Sequence, residues 1–132
     1  MRVLLIEDEP TTAKSIELML GTEGFNVYTT DLGEEGLDLG KLYDYDIICL
    51  DLNLPDMHGA DVLRCLREDP VTASIPVVII SADATAAQIE RLLAAGARNY
   101  LTKPIDVKQF LVVVDDILQE NHSLLPSSQA AA

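Results

Sequence analysis

Three short runs of consecutive apolar residues, rich in β-branched side chains, constrain the fold of this chain more than any other feature. They lie at residues 3–6 (VLLI), 47–50 (IICL) and 77–80 (VVII). Each run is too short for a typical helix and lacks polar alternation, so each predicts a strand that is buried on both faces. Such strands occur where helices cover both sides of a parallel sheet, and the runs therefore predict an α/β fold.

Weaker strand and helix patterns fill the intervals between these runs. The second helix is predicted to be weak because glycines interrupt it, although Asp31 and Glu34 have the spacing of a capping box. The last helix has the clearest periodicity, and Asp106 and Gln109 share that spacing. We predict a domain at residues 1–120 and a flexible tail of small residues at 121–132. The predicted elements are strands at 27–30 and 99–101 and helices at 11–23, 31–40, 60–67, 85–95 and 106–119.

The composition argues against several classes of function. The chain has 22 acidic and nine basic residues and a net charge of −13, which disfavours a nucleic-acid surface. No apolar run reaches the ~18–20 residues that span a bilayer, so we predict a cytoplasmic protein without a membrane partner. Cys49 and Cys65 lack the spacing of a zinc site and are predicted to be reduced thiols.

Polar side chains follow four of the predicted strands. Glu7 and Asp8 follow the first strand, and Asp51, Ser81 and Lys103 follow the third, fourth and fifth. The carboxyl ends of parallel strands meet at one edge of the sheet, where ligand sites of α/β folds lie. Three crowded carboxylates repel one another, and a hard divalent cation with oxygen ligands offsets that repulsion. The sequence therefore predicts a Mg²⁺ site with a hydroxyl and an ammonium group nearby.

This set of residues resembles the signature of bacterial response-regulator receiver domains over residues 1 to about 120. The resemblance implies a flavodoxin-like fold, with a five-stranded parallel sheet in the order 2-1-3-4-5 and five helices. It also implies that Asp51 is the phosphoacceptor of a two-component system. Asp8 and the backbone carbonyl of Asn53 would help to hold Mg²⁺, and Glu7 would reach the ion directly or through water.

The resemblance further implies how the phosphoryl group is bound and sensed. Lys103 and Ser81 would bind the group with their side chains, and Asn53 and Ala82 would contact it through their backbones. Ser81 and Tyr100 would form the switch, although a tyrosine in a half-buried strand without a switching role stays open. A histidine kinase or histidine phosphotransfer protein would donate the phosphoryl group. A downstream protein would bind the face formed by the fourth helix, fifth strand and fifth helix.

The two halves of the chain resemble different receivers. Residues 1–67 are similar to the receivers of CtrA-type cell-cycle transcription regulators of alphaproteobacteria, whereas residues 81–111 are more similar to receivers that stand alone or are joined to sensor kinases. A stand-alone receiver, a fragment of a longer regulator and an engineered chimera all fit this pattern.

Two other functions are weighed against the switch. A phosphatase or phosphotransferase could use an aspartyl-phosphate intermediate, but Leu52 and Asn53 follow Asp51 where haloacid-dehalogenase-like phosphatases have Asp-x-Asp. A length of 132 residues also leaves little room for a substrate-binding cap. A binding module with a vestigial site is disfavoured by the intact acidic set. The sequence therefore predicts a phosphorylation switch that is not an enzyme toward other substrates.

Overall fold

Strands and helices alternate throughout the part of the chain that the structure, a computed structural model, describes, which is residues 1–83 and 85–123. The five strands form one parallel sheet in the order β2-β1-β3-β4-β5, which confirms the predicted fold class and strand order. The elements are β1 (Arg2–Ile6), α1 (Pro10–Thr22), β2 (Asn26–Thr30), α2 (Gly33–Leu42), β3 (Ile47–Asp51), α3 (Gly59–Glu68), β4 (Val77–Ser81), α4 (Ala86–Ala94), β5 (Asn99–Thr102) and α5 (Val107–Ser123).

The apolar runs form the centre of the sheet, and helices cover both of its faces. Successive side chains of a strand point to opposite faces. Leu5 and Ile80 therefore pack with α1 and α5 around Phe110, while Leu4 and Ile79 pack in a second cluster with α2, α3 and α4. Both clusters are closed to solvent, which fixes the three central strands from which the polar residues emerge.

The glycines of α2 form its packing face and are the reason that the helix can lie close to the sheet. Gly33, Gly36 and Gly40 are all buried. A Cβ atom at Gly36 would lie 2.4 Å from Cδ1 of Ile6, which is itself fully buried in β1. The glycines that weaken the helical pattern in the sequence are thus required by the approach of α2 to β1.

The predicted capping box of α2 is wrong. The N-cap residue is Leu32, and no side chain at that position caps the helix. Instead, the backbone N–H groups of Gly33 and Glu34 donate to the two carboxylate oxygens of Asp56, at 2.8 and 3.0 Å. Asp56 lies in the β3–α3 loop, so the tertiary fold supplies a cap that a local sequence pattern cannot reveal.

Other helix ends follow the sequence more closely. Gly24 and Gly96, which follow the C-caps of α1 and α4, have positive φ angles of 85° and 112°. The backbone N–H of Gln109 donates to Oδ1 of Asp106 at 3.0 Å, as the predicted cap of α5 requires. Helix α5 continues to Ser123, beyond the predicted start of the tail, and residues 124–132 lie outside the described residues.

The predicted states of the cysteines are confirmed, because both are free thiols, with Cys49 buried and Cys65 partly exposed. Burial raises the pKa of the Cys49 thiol to about 12, so this side chain is an inert part of the core. Among the described residues, no helix combines the length and apolarity that crossing a bilayer would require.

We predict that Gly36→Ala destabilises the protein and that Gly21→Ala stabilises it. A Cβ atom at Gly36 would overlap the buried Ile6 side chain, and overpacking of about 1–3 kcal/mol exceeds the ~0.5–1 kcal/mol that alanine gains in a helix. A Cβ atom at Gly21 would meet nothing within 4 Å, so only that gain remains. Urea-induced unfolding measures both changes, and a Gly36→Ala protein as stable as the unmutated one would contradict the packing argument.

Candidate functional site

The carboxyl ends of four strands deliver the polar residues to one edge of the sheet, as the sequence predicts. Glu7 and Asp8 follow directly after β1, Asp51 is the last residue of β3, and Ser81 is the last residue of β4. Lys103 follows β5, next to Thr102, which pairs with Ser81 in the sheet register. The parallel register therefore brings these side chains to the same edge of the sheet.

Three carboxylates form a cluster at this edge. Ligand oxygens of Glu7, Asp8 and Asp51 all lie within 4.8 Å of one another. Glu7 and Asp51 are each 2% exposed, while Asp8 faces solvent. Burial, followed by hydrogen bonding and charge repulsion from Glu7, raises the pKa of Asp51. Burial and the neighbouring Asp51 likewise raise the pKa of Asp8. The cluster is therefore a set of mutually repelling hard oxygen donors, which suits an ion such as Mg²⁺.

Lys103 supplies positive charge to the cluster, but it lies closer to Glu7 than to the predicted phosphoacceptor. Its Nζ atom is 2.9 Å from Oε1 of Glu7 and 3.5 Å from Oδ1 of Asp51. Partial burial lowers the pKa of Lys103, but the two carboxylates outweigh that effect and raise the pKa overall. The side chain therefore remains an ammonium ion. The bond between Lys103 and Pro104 is cis.

Glu9 is a residue of this edge that sequence reasoning missed. Its carboxylate accepts hydrogen bonds from the backbone N–H groups of Thr11 and Thr12 at 2.8 and 3.1 Å, and it caps α1. Its own backbone N–H donates to Oε2 of Glu7 at 3.1 Å. The turn after β1 is thus fixed at both ends. Pro10, which occupies the first helical position, is the signal that could have identified Glu9 as the cap.

The loop after β3 folds tightly against Asp51. The backbone N–H of Asn53 donates to Oδ1 of Asp51 at 3.3 Å, and Asn53 forms an isolated antiparallel bridge with His58. The N–H of Gly59 donates to the carbonyl of Leu52 at 2.8 Å. A Cβ atom at Gly59 would lie 2.5 Å from Cα of Leu52, so the close approach requires glycine. This fold brings the backbone of Asn53 beside the acidic cluster.

The loop after β4 is held by two side chains that meet at one residue. Oγ of Ser81 accepts a hydrogen bond from the backbone N–H of Asp83 at 3.1 Å, and the hydroxyl of Tyr100 donates to the carbonyl of Asp83 at 2.8 Å. Ser81 and Tyr100 are both buried, whereas the intervening Ala82 is exposed. The structure thus joins the two predicted switch residues through the Asp83 backbone, an intermediary that the sequence does not reveal.

The sequence of this chain matches a known protein family. Residues 3–115 match the response regulator receiver domain. The chain belongs to this family.

Two similar curated proteins are cell-cycle regulators. The chain is 52% identical to the cell cycle transcriptional regulator CtrA of Caulobacter vibrioides and 55% identical to the cell cycle response regulator CtrA of Brucella abortus. Both matches cover 121 residues, or 92% of this chain, so the similarity extends well beyond the first 67 residues. They cover 52% and 51% of the relatives, and the receiver therefore spans about half the length of these proteins.

Solved receivers have the same fold. One is the receiver domain of a sensor histidine kinase of Pseudomonas aeruginosa with a magnesium ion coordinated in its active-site cleft. It is 27% identical with a TM-score of 0.82, and the match covers 89% of this receiver and 97% of that chain. The receiver domain of the Francisella response regulator 1452 is also 27% identical, with a TM-score of 0.85 and coverage of 91% and 98%.

We predict that Asp8→Asn raises the melting temperature of the metal-free receiver at pH 7. The raised pKa values of Asp8 and Asp51 mean that their charged forms destabilise the folded state above those pKa values. The destabilisation therefore grows as the pH rises through the raised pKa values and is relieved as the pH falls below them. Asp38→Asn removes the same charge from an exposed position in α2 and serves as the control.

Calorimetry in the presence of a chelator measures the two melting temperatures. We expect the melting temperature of Asp8→Asn to exceed that of Asp38→Asn by a few degrees at pH 7. This difference should become smaller as the pH is lowered. Equal melting temperatures at pH 7 would show that repulsion within the cluster is negligible.

Proposed function

We propose that Asp51 is the phosphoacceptor of this receiver and that Mg²⁺ is required for its phosphorylation. The arrangement of the Asp51 carboxylate carries the proposal, because it ends a central strand, lies against Glu7 and Asp8, and is 3.5 Å from the Lys103 ammonium group. The carboxylates of all three acids and the backbone carbonyl of Asn53 would hold the ion. Bound Mg²⁺ would supply positive charge that neutralises the oxygens of the transferring group.

The proposed reaction is an in-line displacement at phosphorus. A carboxylate oxygen of Asp51 forms a bond to phosphorus while the bond from phosphorus to the donor histidine nitrogen breaks, and the departing imidazole is left to take up a proton. Lys103 donates a hydrogen bond to a phosphoryl oxygen as it shifts its contact from Glu7. Water later cleaves the acyl phosphate and restores the Asp51 carboxylate. In this proposal, the receiver catalyses only its own phosphorylation and dephosphorylation.

The loops beside Asp51 supply the remaining contacts. The Ser81 hydroxyl, whose oxygen already accepts from Asp83, donates to the phosphoryl group. Two backbone N–H groups contact other phosphoryl oxygens. One belongs to Ala82, an exposed residue next to Ser81, and the other belongs to Asn53 and donates to Asp51 before phosphorylation. Charge-assisted hydrogen bonds of this kind contribute about 1.5–3 kcal/mol each.

These contacts can drive a change of state. Phosphorylation replaces one negative charge with nearly two, which favours one of two existing arrangements of the β4–α4 loop and Tyr100. Shifting such an equilibrium from 1:99 to 99:1 requires about 5.5 kcal/mol, which a few charge-assisted hydrogen bonds can supply. The hydrogen bonds of Ser81 and Tyr100 to the Asp83 backbone support the assignment of both residues to the switch.

The proposed partners follow from this role. A histidine kinase or histidine phosphotransfer protein donates the phosphoryl group, and the face formed by α4, β5 and α5 binds a downstream protein. The net charge of −13 argues that this chain does not itself bind nucleic acid. We also propose that the receiver is cytoplasmic.

We expect acetyl phosphate and Mg²⁺ to add one phosphoryl group to the receiver. Intact-mass spectrometry detects the addition, and Asp51→Asn or a chelator should abolish it. Asp38→Asn, which changes an exposed carboxylate of α2 outside the acidic cluster, should be phosphorylated like the unmutated receiver. No addition to the unmutated receiver with Mg²⁺ present would refute the proposed function, and turnover of added phosphomonoesters would point to a phosphatase instead.

We also expect beryllium fluoride, a phosphoryl mimic, to perturb residues 81–105 more than α2. The reference is the receiver with Mg²⁺ alone, so that effects of the metal cancel. Backbone amide chemical shifts measure the change, and Asp51→Asn with the same additions is the control. Shift changes confined to the neighbours of Asp51 would mean that the site binds the mimic without switching.

A further inference from the structure

We propose that Asp56 is a positioning residue for the metal site, because its carboxylate fastens the loop that carries Asn53 to the N-terminus of α2. This inference rests on the proposed function, since it concerns the same Mg²⁺ site. It assigns a role at that site to a side chain that lies outside the acidic cluster.

The contacts of Asp56 connect segments that are distant in sequence. The N–H groups of Gly33 and Glu34 donate to separate oxygens of the carboxylate at 2.8 and 3.0 Å, so both oxygens are used. The positive end of the α2 dipole also favours a carboxylate at this position. These backbone hydrogen bonds lower the pKa of Asp56, so the group remains charged at neutral pH.

The middle of the β3–α3 loop depends on this attachment. The ends of the loop are fixed by the hydrogen bond from Gly59 to Leu52 and by the bridge from Asn53 to His58. Between them, Met57 packs so closely on α2 that a Cβ atom at Gly33 would lie 3.1 Å from its Sδ atom. Asp56 is therefore the polar attachment of the loop to α2, and Met57 supplies apolar contact beside it.

Helix α2 connects this loop to the other segment that carries proposed metal ligands. Gly36 lies against Ile6, and Ile6 directly precedes Glu7 and Asp8 in the chain. The path from Asn53 through Asp56 and α2 thus reaches the end of β1. A metal ion that binds both segments requires their separation to be fixed, and fixing it in advance reduces the cost of binding.

The test compares the Mg²⁺ affinities of Asp56→Ala, Asp56→Asn and Asp31→Ala by isothermal titration calorimetry. Asp31→Ala is the matched control, because this substitution also removes one charge beside α2. The Asp31 side chain makes no hydrogen bond or ion pair with the described residues 1–83 and 85–123. Asp56→Asn removes the charge but keeps an oxygen that can accept one of the two N–H groups.

We expect Asp56→Ala to weaken Mg²⁺ binding by about three- to tenfold. This effect does not exceed the lower end of the ~10–100-fold loss that follows removal of a group in direct contact with a metal ligand. Asp56→Asn should fall between Asp56→Ala and Asp31→Ala. The amide hydrogens of Gly33 and Glu34 should exchange more slowly when Mg²⁺ is bound to the unmutated receiver, because coupling between two sites is reciprocal. This exchange measurement applies even if Asp56→Ala does not fold.

Three results would overturn the proposal. If Asp56→Ala binds Mg²⁺ like Asp31→Ala while its melting temperature falls, Asp56 is only a helix cap. If Asp56→Ala and Asp56→Asn weaken Mg²⁺ binding equally, the loss of the negative charge explains the effect, and the hydrogen bonds to α2 do not. If Mg²⁺ leaves the exchange of Gly33 and Glu34 unchanged, α2 is not coupled to the site. Failure of the unmutated receiver to bind Mg²⁺ would overturn the proposed function as well, which separates it from the first three results.

Discussion

Repulsion among three carboxylates at one edge of the sheet is the interaction on which the rest of the site depends. Glu7, Asp8 and Asp51 lie at the ends of strands whose apolar side chains are buried on both faces, so the core fixes the backbone positions from which the three carboxylates extend. Lys103 offsets part of the repulsion through its contacts with Glu7 and Asp51. Burial, followed by hydrogen bonding and charge repulsion from Glu7, keeps the pKa of Asp51 raised despite the nearby ammonium group, and a divalent cation would supply the further positive charge that favours the ionised carboxylate.

Much of the fold and the gathering of the strand-end polar residues at one edge could be predicted from the sequence, because both follow from short-range patterns. Continuous apolar runs reveal buried strands, and the residue after each run lies at the edge where strands of a parallel sheet meet. Details that depend on tertiary contacts could not be predicted. The cap of α2 comes from Asp56, which is 23 residues from Gly33, and not from the nearby Asp31. The preference of Lys103 for Glu7 over Asp51 is likewise a matter of side-chain geometry that spacing does not encode.

The glycines of α2 show why a local pattern can mislead even where it identifies the correct element. Glycine lowers intrinsic helix propensity, so a helix with several glycines is expected to be weak. In the structure, the absence of a side chain at Gly36 allows the helix to contact Ile6, and the apolar contact compensates for the lower propensity. Replacement by a better helix former would therefore separate α2 from the strand that leads to Glu7 and Asp8.

The two loops that flank Asp51 are held in different ways, and this difference determines which loop would respond to phosphorylation. The β3–α3 loop is fixed by its own backbone, by Gly59 and by the carboxylate of Asp56, none of which is a proposed side-chain partner of the phosphoryl group. The β4–α4 loop is held through Asp83 by the hydroxyls of Ser81 and Tyr100. Ser81 is also proposed to bind the phosphoryl group with its side chain, so phosphorylation changes the side-chain contacts that hold this loop. A change at Asp51 would therefore be transmitted toward β5 and α4, while the loop that carries Asn53 keeps the metal site in place.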